Sequence, residues 1–365
     1  MFFTPNTPTN GVELWKSDGT TAGTVLVADI FPGAVSSAPS NLTNVNGTLF
    51  FSATTSANGA ELWKSNGTAA GTVLVKDIRL GGTGSNPANF RVFNGLLYFT
   101  ATDATSGTEL WKSDGTAAGT VLVKDINPGS ASSSPSQLTI SNGILFFTAT
   151  TASGTELWKT DGTAAGTVLL ADINPGSGSS SPASLADVNG TLFFTATTTA
   201  NGTELWKSNG TTAGTVLVKD INPGAAGSNP SNLVNVNGTL FFAATVPAFG
   251  TELWKSDGTS AGTVLVKDIN PGPPVPPRSS WSISMDSSPS VPLTRSPEWN
   301  CGAATAPRWE RSSPMSLLAP SPASHVPCTA PTAGSTSWQR LRARGQSSTS
   351  SPTIRRRPMQ GGRTP

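Results

Sequence analysis

Six glutamates recur at nearly constant spacing, Glu13, Glu61, Glu109, Glu156, Glu204 and Glu252, and each is followed by Leu and Trp. Six aspartates keep the same period: Asp29, Asp77, Asp125, Asp172, Asp220 and Asp268. Carboxylates gathered by a fold can act as general acid and base or hold Ca²⁺ through their oxygens. Tryptophans such as Trp111, two residues after Glu109, could offer flat platforms to a ligand. Residues 1–272 contain no Cys and no His. This excludes thiol and imidazole nucleophiles, the usual zinc ligands and disulfides from that stretch.

Each set also fits a structural role. Every copy carries both Glu and Trp, whereas a site breaks the symmetry of a repeat, so the pair reads as packing: Trp in a core between neighbouring repeats, Glu held by Lys or backbone amides. The aspartates read as caps of the following Asn-Pro-Gly turns. No spacing matches a calcium loop, so the expectation is no catalytic, cofactor-binding or metal site, with Ca²⁺ as a secondary possibility on the aspartates. Lys76, Lys124, Lys219 and Lys267 precede those aspartates and read as solvated, and Ala28 and Ala171 break their series. Acids unique to one copy would mark a catalytic blade, and only Asp103 and Asp187 qualify.

The elements that position these residues follow from a repeat. The Glu-Leu-Trp copies stand 48, 48, 47, 48 and 48 residues apart. In one period, short strands are expected around Leu233 to Val236, Thr191 to Thr197, Thr203 to Lys207 and Thr215 to Ile221, where β-branched and aromatic residues gather. Asn237-Gly238 predicts a two-residue hairpin, since a type I′ turn needs positive φ at both central positions. Asp257-Gly258 predicts a second reversal, closed by the Thr259 hydroxyl. Helix signals are absent. Leu192-Phe193-Phe194 and Val216-Leu217-Val218 place apolar side chains on both faces, as in a sheet covered on both sides. An all-β protein with about six 48-residue β-propeller blades meets that demand. An elongated β-solenoid is the alternative, disfavoured by the lack of a shorter internal period.

Six copies of Glu-Leu-Trp-Lys-Ser/Thr-Asp/Asn-Gly-Thr, each followed by Gly-Thr-Val-Leu, resemble the bacterial ELWxxDGT repeat family, over about residues 1 to 272. The resemblance implies a long surface or secreted protein, hyalin-like in some members. It supplies architecture more than chemistry. Asn66 and Asn209 replace the motif Asp in two copies and weaken any ring of carboxylates.

Charge divides the chain. Of its 365 residues, 1–272 hold 12 Lys and Arg against 18 Asp and Glu, and 273–365 hold 11 against 3. An acidic repeat region argues against nucleic acid as a partner, and no run of about 18 apolar residues offers a membrane span. Residues 273–365 read as a disordered or low-complexity tail, and also as further repeats translated out of frame. Combining the last base of each codon with the first two of the next forces Gly at 286, Glu at 300, Leu at 301 and Gly at 310. Those residues stand at the repeat's own offsets from Gly238, Glu252, Leu253 and Gly262. The frame change falls between Gly272 and Ile283, and resequencing that region tests it. On this reading Cys301, His325, Cys328 and the Arg355-Arg356-Arg357 run carry no selected chemistry.

The functional expectation is a non-catalytic binding or adhesion scaffold outside a bacterial cell, a fragment of a longer protein facing an unknown glycan or protein ligand. Met1-Phe2-Phe3 offers no signal peptide. A propeller-type hydrolase or lyase using carboxylates is the alternative, and a frameshifted gene without a functional product is the third.

Overall fold

Each Asn-Gly pair makes the expected turn. In Asn46-Gly47, φ is +50° and +86°, and Asn94-Gly95, Asn142-Gly143, Asn189-Gly190 and Asn237-Gly238 repeat the pattern. The computed structural model describes residues 1–269 and 271, all within the first of two compact units, Met1–Ser284. The expected tail, residues 273–365, lies outside the described residues.

The turns join strands into antiparallel meanders. The third sheet is typical: Ala88–Phe93, Leu96–Asp103, Gly107–Ser113 and Val121–Lys124, hydrogen-bonded in chain order. The second, fourth, fifth and sixth sheets begin at Ser40, Ser136, Ala183 and Ser231 and copy this order. The first has three strands, Phe2–Phe3, Leu14–Lys16 and Val25–Ala28. The chain is therefore all-β, as expected, with no helix among the described residues. None of these is a helix able to cross a membrane. Separate meanders joined in sequence replace the coils of the solenoid alternative. The second to sixth sheets lie with their first strands side by side, as propeller blades do.

Packing explains the double-faced apolar strands. In Leu96–Asp103 the five residues Leu97 to Ala101 are all buried, alternating between the two covered faces. Leu97, Phe99, Ala101 and Trp111 meet Val45, Phe50, Leu62 and Val75 of the preceding sheet. Tyr98, Leu110 and Val123 meet Leu145, Phe147, Ala149 and Trp158 of the following one. Every sheet thus shows one face to each neighbour, and no sheet could bury both alone.

Candidate functional site

The recurring glutamate lies at the start of the third strand and is almost wholly inaccessible: Glu13, Glu61, Glu109 and Glu204 at 0% and Glu156 at 1% exposure. The loop after the fourth strand wraps over it. Glu109 accepts the Ser133 amide at 2.7 Å, the Ser133 hydroxyl at 2.5 Å and the Ile126 amide at 3.1 Å. Glu61 takes the same bonds from Ser85 and Ile78, plus the Arg79 amide. Burial pushes the carboxyls of Glu61, Glu109, Glu156 and Glu204 above their usual range, against the pull of the serine hydroxyls and amides. A raised carboxyl can be a general acid, but these oxygens are filled by donors and closed to a substrate. The expected partners were Lys or amides; serine hydroxyls take the place of Lys.

The aspartates serve turns and neighbouring loops. Asp29 and Asp125 accept the amides of Gly33 and Gly129, the expected capping. Asp77 and Asp220 instead accept the side-chain amides of Asn58 and Asn201 at 2.7 and 2.8 Å. Among the described residues no three acidic side chains converge as a metal site would require. In the Asp-Gly-Thr turns, Asp114 accepts both the amide and the hydroxyl of Thr116, which hold its carboxyl below the usual range. Asn66 and Asn209 make the same two bonds to Thr68 and Thr211 through Oδ1. A charge is dispensable there. Gly119 closes this turn, since a Cβ on it would lie 2.1 Å from Asp114 Oδ1.

Lysines bind the sheets together, which corrects the reading of Lys76, Lys124 and Lys219 as solvated, whereas Lys267 is exposed as expected. Lys76, Lys124 and Lys219 donate to the carbonyls of Thr120, Thr167 and Thr263 in the next sheet, at 2.7, 2.8 and 2.8 Å. Lys76 also lies 5.9 Å from the ring centre of Trp111, within reach of a cation–π contact. A second lysine series, unremarked in the sequence, does the same from the third strand. Lys16, Lys64, Lys112, Lys159 and Lys207 donate to Gly67, Gly115, Gly162, Gly210 and Gly258. Recurrence of Lys after every Trp was the signal.

The two unique acids are also engaged. Asp103 accepts the amides of Thr105 and Ser106 in its own turn; burial raises its carboxyl, and these bonds outweigh that and leave it lowered. Asp187 accepts the Ser141 hydroxyl of the preceding sheet at 2.5 Å. One run missed in the sequence, Gly258-Thr259-Ser260-Ala261-Gly262, has the Gly-x-Ser-x-Gly pattern of a hydrolase nucleophile. Here it is the exposed Asp-Gly-Thr turn of the sixth sheet, between two strands rather than between strand and helix. Clefts open beside equivalent turns: about 310 Å³ between Ile144, Lys159 and Asp161, and about 300 Å³ between Thr191, Lys207 and Asn209.

No protein-family model matches the chain, and no curated protein matches it. Solved structures do. Puromycin hydrolase is 14% identical, with 73% of this chain on 46% of that one and a TM-score of 0.39. TolB from Acinetobacter baumannii is 14% identical, with 70% on 61% and a TM-score of 0.34. The acylaminoacyl peptidase of Pyrococcus horikoshii is 12% identical, with 74% on 43% and a TM-score of 0.38. The chain spans a little under half the length of the two hydrolases. These neighbours are β-propeller proteins, in keeping with the fold. The expectation of an adhesion scaffold is corrected by them: the matched hydrolases fit the hydrolase alternative better. The physical reason is that repetition here serves packing and loop tethering, and such regularity says nothing about adhesion.

Proposed function

We propose that the described residues are the propeller portion of a hydrolase-class protein, and that they frame a reaction whose bond-breaking groups lie elsewhere in it. The hydrolase class is the alternative already read from the sequence, without its premise that these carboxylates do the chemistry. The observation supporting this division is the environment of the glutamates. Glu13, Glu61, Glu109, Glu156 and Glu204 are buried beneath a loop and filled by serine and amide donors. Asp103 and Asp187 are held by neighbouring hydroxyls and amides. Propellers carry unrelated activities on one architecture, so the reading must be tested as chemistry.

The experiment isolates the native gene product and assays hydrolysis of aminoacyl and peptidyl amides, beside Glu109→Gln and Asp187→Asn variants. The expected result is hydrolysis that both variants retain. A native product without hydrolysis overturns the hydrolase class. Hydrolysis lost in a folded Asp187→Asn variant overturns the placement of the chemistry.

A further inference from the structure

We propose that Arg91, with the Gln137 carboxamide beside it, forms a binding site for a single carboxylate, such as the chain end or an acidic side chain of a peptide. The first strands of the second to sixth sheets carry one cationic residue between them, Arg91. Thr43, Thr139, Ala186 and Val234 hold its position in the other copies. Packing needs no charge at this place, since four sheets form without one.

Arg91 lies between described neighbours, with the first strand of the second sheet on one side and that of the fourth on the other. Its side chain is exposed, and the guanidinium has no acceptor among the described residues. A bulge shapes the strand around it. Ala88 pairs with Thr100 and Arg91 with Tyr98, so Asn89 and Phe90 stand opposite Phe99 alone. Phe90 packs with its ring centre 5.8 Å from that of Phe99, and Asn89, at a φ of +56°, is exposed.

The fourth sheet completes the cleft. Gln137, at a φ of +59°, takes the place of Asn41 and Asn89. Those asparagines donate their side-chain amides to the carbonyls of Pro87 and Pro135 in the next sheet, each at 3.3 Å. The Gln137 carboxamide makes no such bond to any described residue, so it is left to serve a ligand. A cleft of about 290 Å³ lies between Arg91 and Asn89 on one strand and Gln137 and Thr139 on the other, with Phe90 and Leu138 as its apolar lining.

The donor set selects the ligand. A guanidinium offers paired N–H groups that match the two oxygens of a carboxylate, and the Gln137 amide adds a further donor. Thr139 spends its hydroxyl proton on the Gln137 main-chain carbonyl, at 2.9 Å. One positive charge with neutral amides balances a monoanion. A phosphate dianion would stay half compensated, within residues 1–272 that hold 18 acids against 12 cationic side chains. The apolar lining suits an aliphatic group next to the carboxylate. This site stands apart from the hydrolase reading, because its test reads binding and not turnover.

The test is calorimetric titration of the full chain with N-acetyl-leucine, with N-acetyl-leucinamide and with inorganic phosphate at neutral pH. Arg91→Thr and Gln137→Asn are titrated beside it; each installs a residue that other copies carry there, so the thermal midpoint should stay near the parent's. The acid should bind, and the amide about tenfold more weakly or not at all. Both variants should lose affinity for the acid, Arg91→Thr by about tenfold or more. No binding of the acid overturns the proposal, as does equal binding of acid and amide. Phosphate bound more tightly than the acid, or full affinity in folded Arg91→Thr, overturns it as well.

Discussion

Lys64 Nζ in the second sheet donates to the carbonyl of Gly115 in the third at 2.8 Å, beside the turn carboxylate of Asp114, whose carboxyl it helps to lower. Four other sheet pairs repeat the bond. Each interface is therefore a strip of aliphatic and aromatic packing fastened at its edge by a charged donor on a main-chain acceptor. Lys64→Met keeps the apolar stem and removes the donor, leaving the Gly115 carbonyl unpaired. A loss of about 1–3 kcal/mol is expected from urea unfolding. A change under a few tenths of a kcal/mol would make this bond ornamental.

Glu109 holds the loop after its sheet through Ser133. Ser133→Ala removes the hydroxyl and leaves a buried carboxylate short of one donor, at an expected cost of about 1–3 kcal/mol. The pH dependence has a definite sign. Burial raises the folded carboxyl above its unfolded value of 4.5, so its contribution is fully present below 4.5 and is lost as pH rises through the folded value. Without the Ser133 hydroxyl, which lowers that value, the loss should move to higher pH. Unfolding free energies measured from pH 4 to 8 in both proteins check this; superimposable pH profiles would mean Glu109 does not sense Ser133.

The turn aspartates carry the opposite sign. Asp114 is held below its unfolded value of 3.8, so its contribution is present above 3.8 and is lost as pH falls through the folded value. Asp114→Asn should leave the thermal midpoint at pH 7 unchanged, because Asn66 and Asn209 already make the same bonds. Below pH 3.8 the variant should lose less stability than the parent. A large drop at neutral pH would show that the charge, and not the acceptor geometry, closes the turn.

These contacts mark where sequence reading succeeds. Asn237-Gly238 and Leu192-Phe193-Phe194 announced a hairpin and a doubly covered strand because local stereochemistry and burial dictate both. The partner of Lys64 lies about one period away, at Gly115. Recurrence shows that a lysine matters in each copy but not which carbonyl it reaches. The Glu109 site was half legible: the amides were foreseen, whereas Ser133, 24 residues on, becomes a partner only when the loop folds back. Function was illegible for a different reason. A regular repeat records what every blade needs, and chemistry that frames a substrate breaks regularity.

That regularity allows one substitution to be compared in two surroundings. Leu157 and Leu253 occupy the same position of the repeat, one at 0% exposure between two sheets and the other at 39% on the last described sheet. Leu157→Ala removes methyl groups from a packed interface and leaves a cavity, so about 2–5 kcal/mol should be lost. Leu253→Ala removes the same atoms from a half-open face, where water fills the space, and should cost under about 1 kcal/mol. Urea unfolding of both variants at matched low concentration makes the comparison. Equal costs would mean that Leu253 is covered in solution.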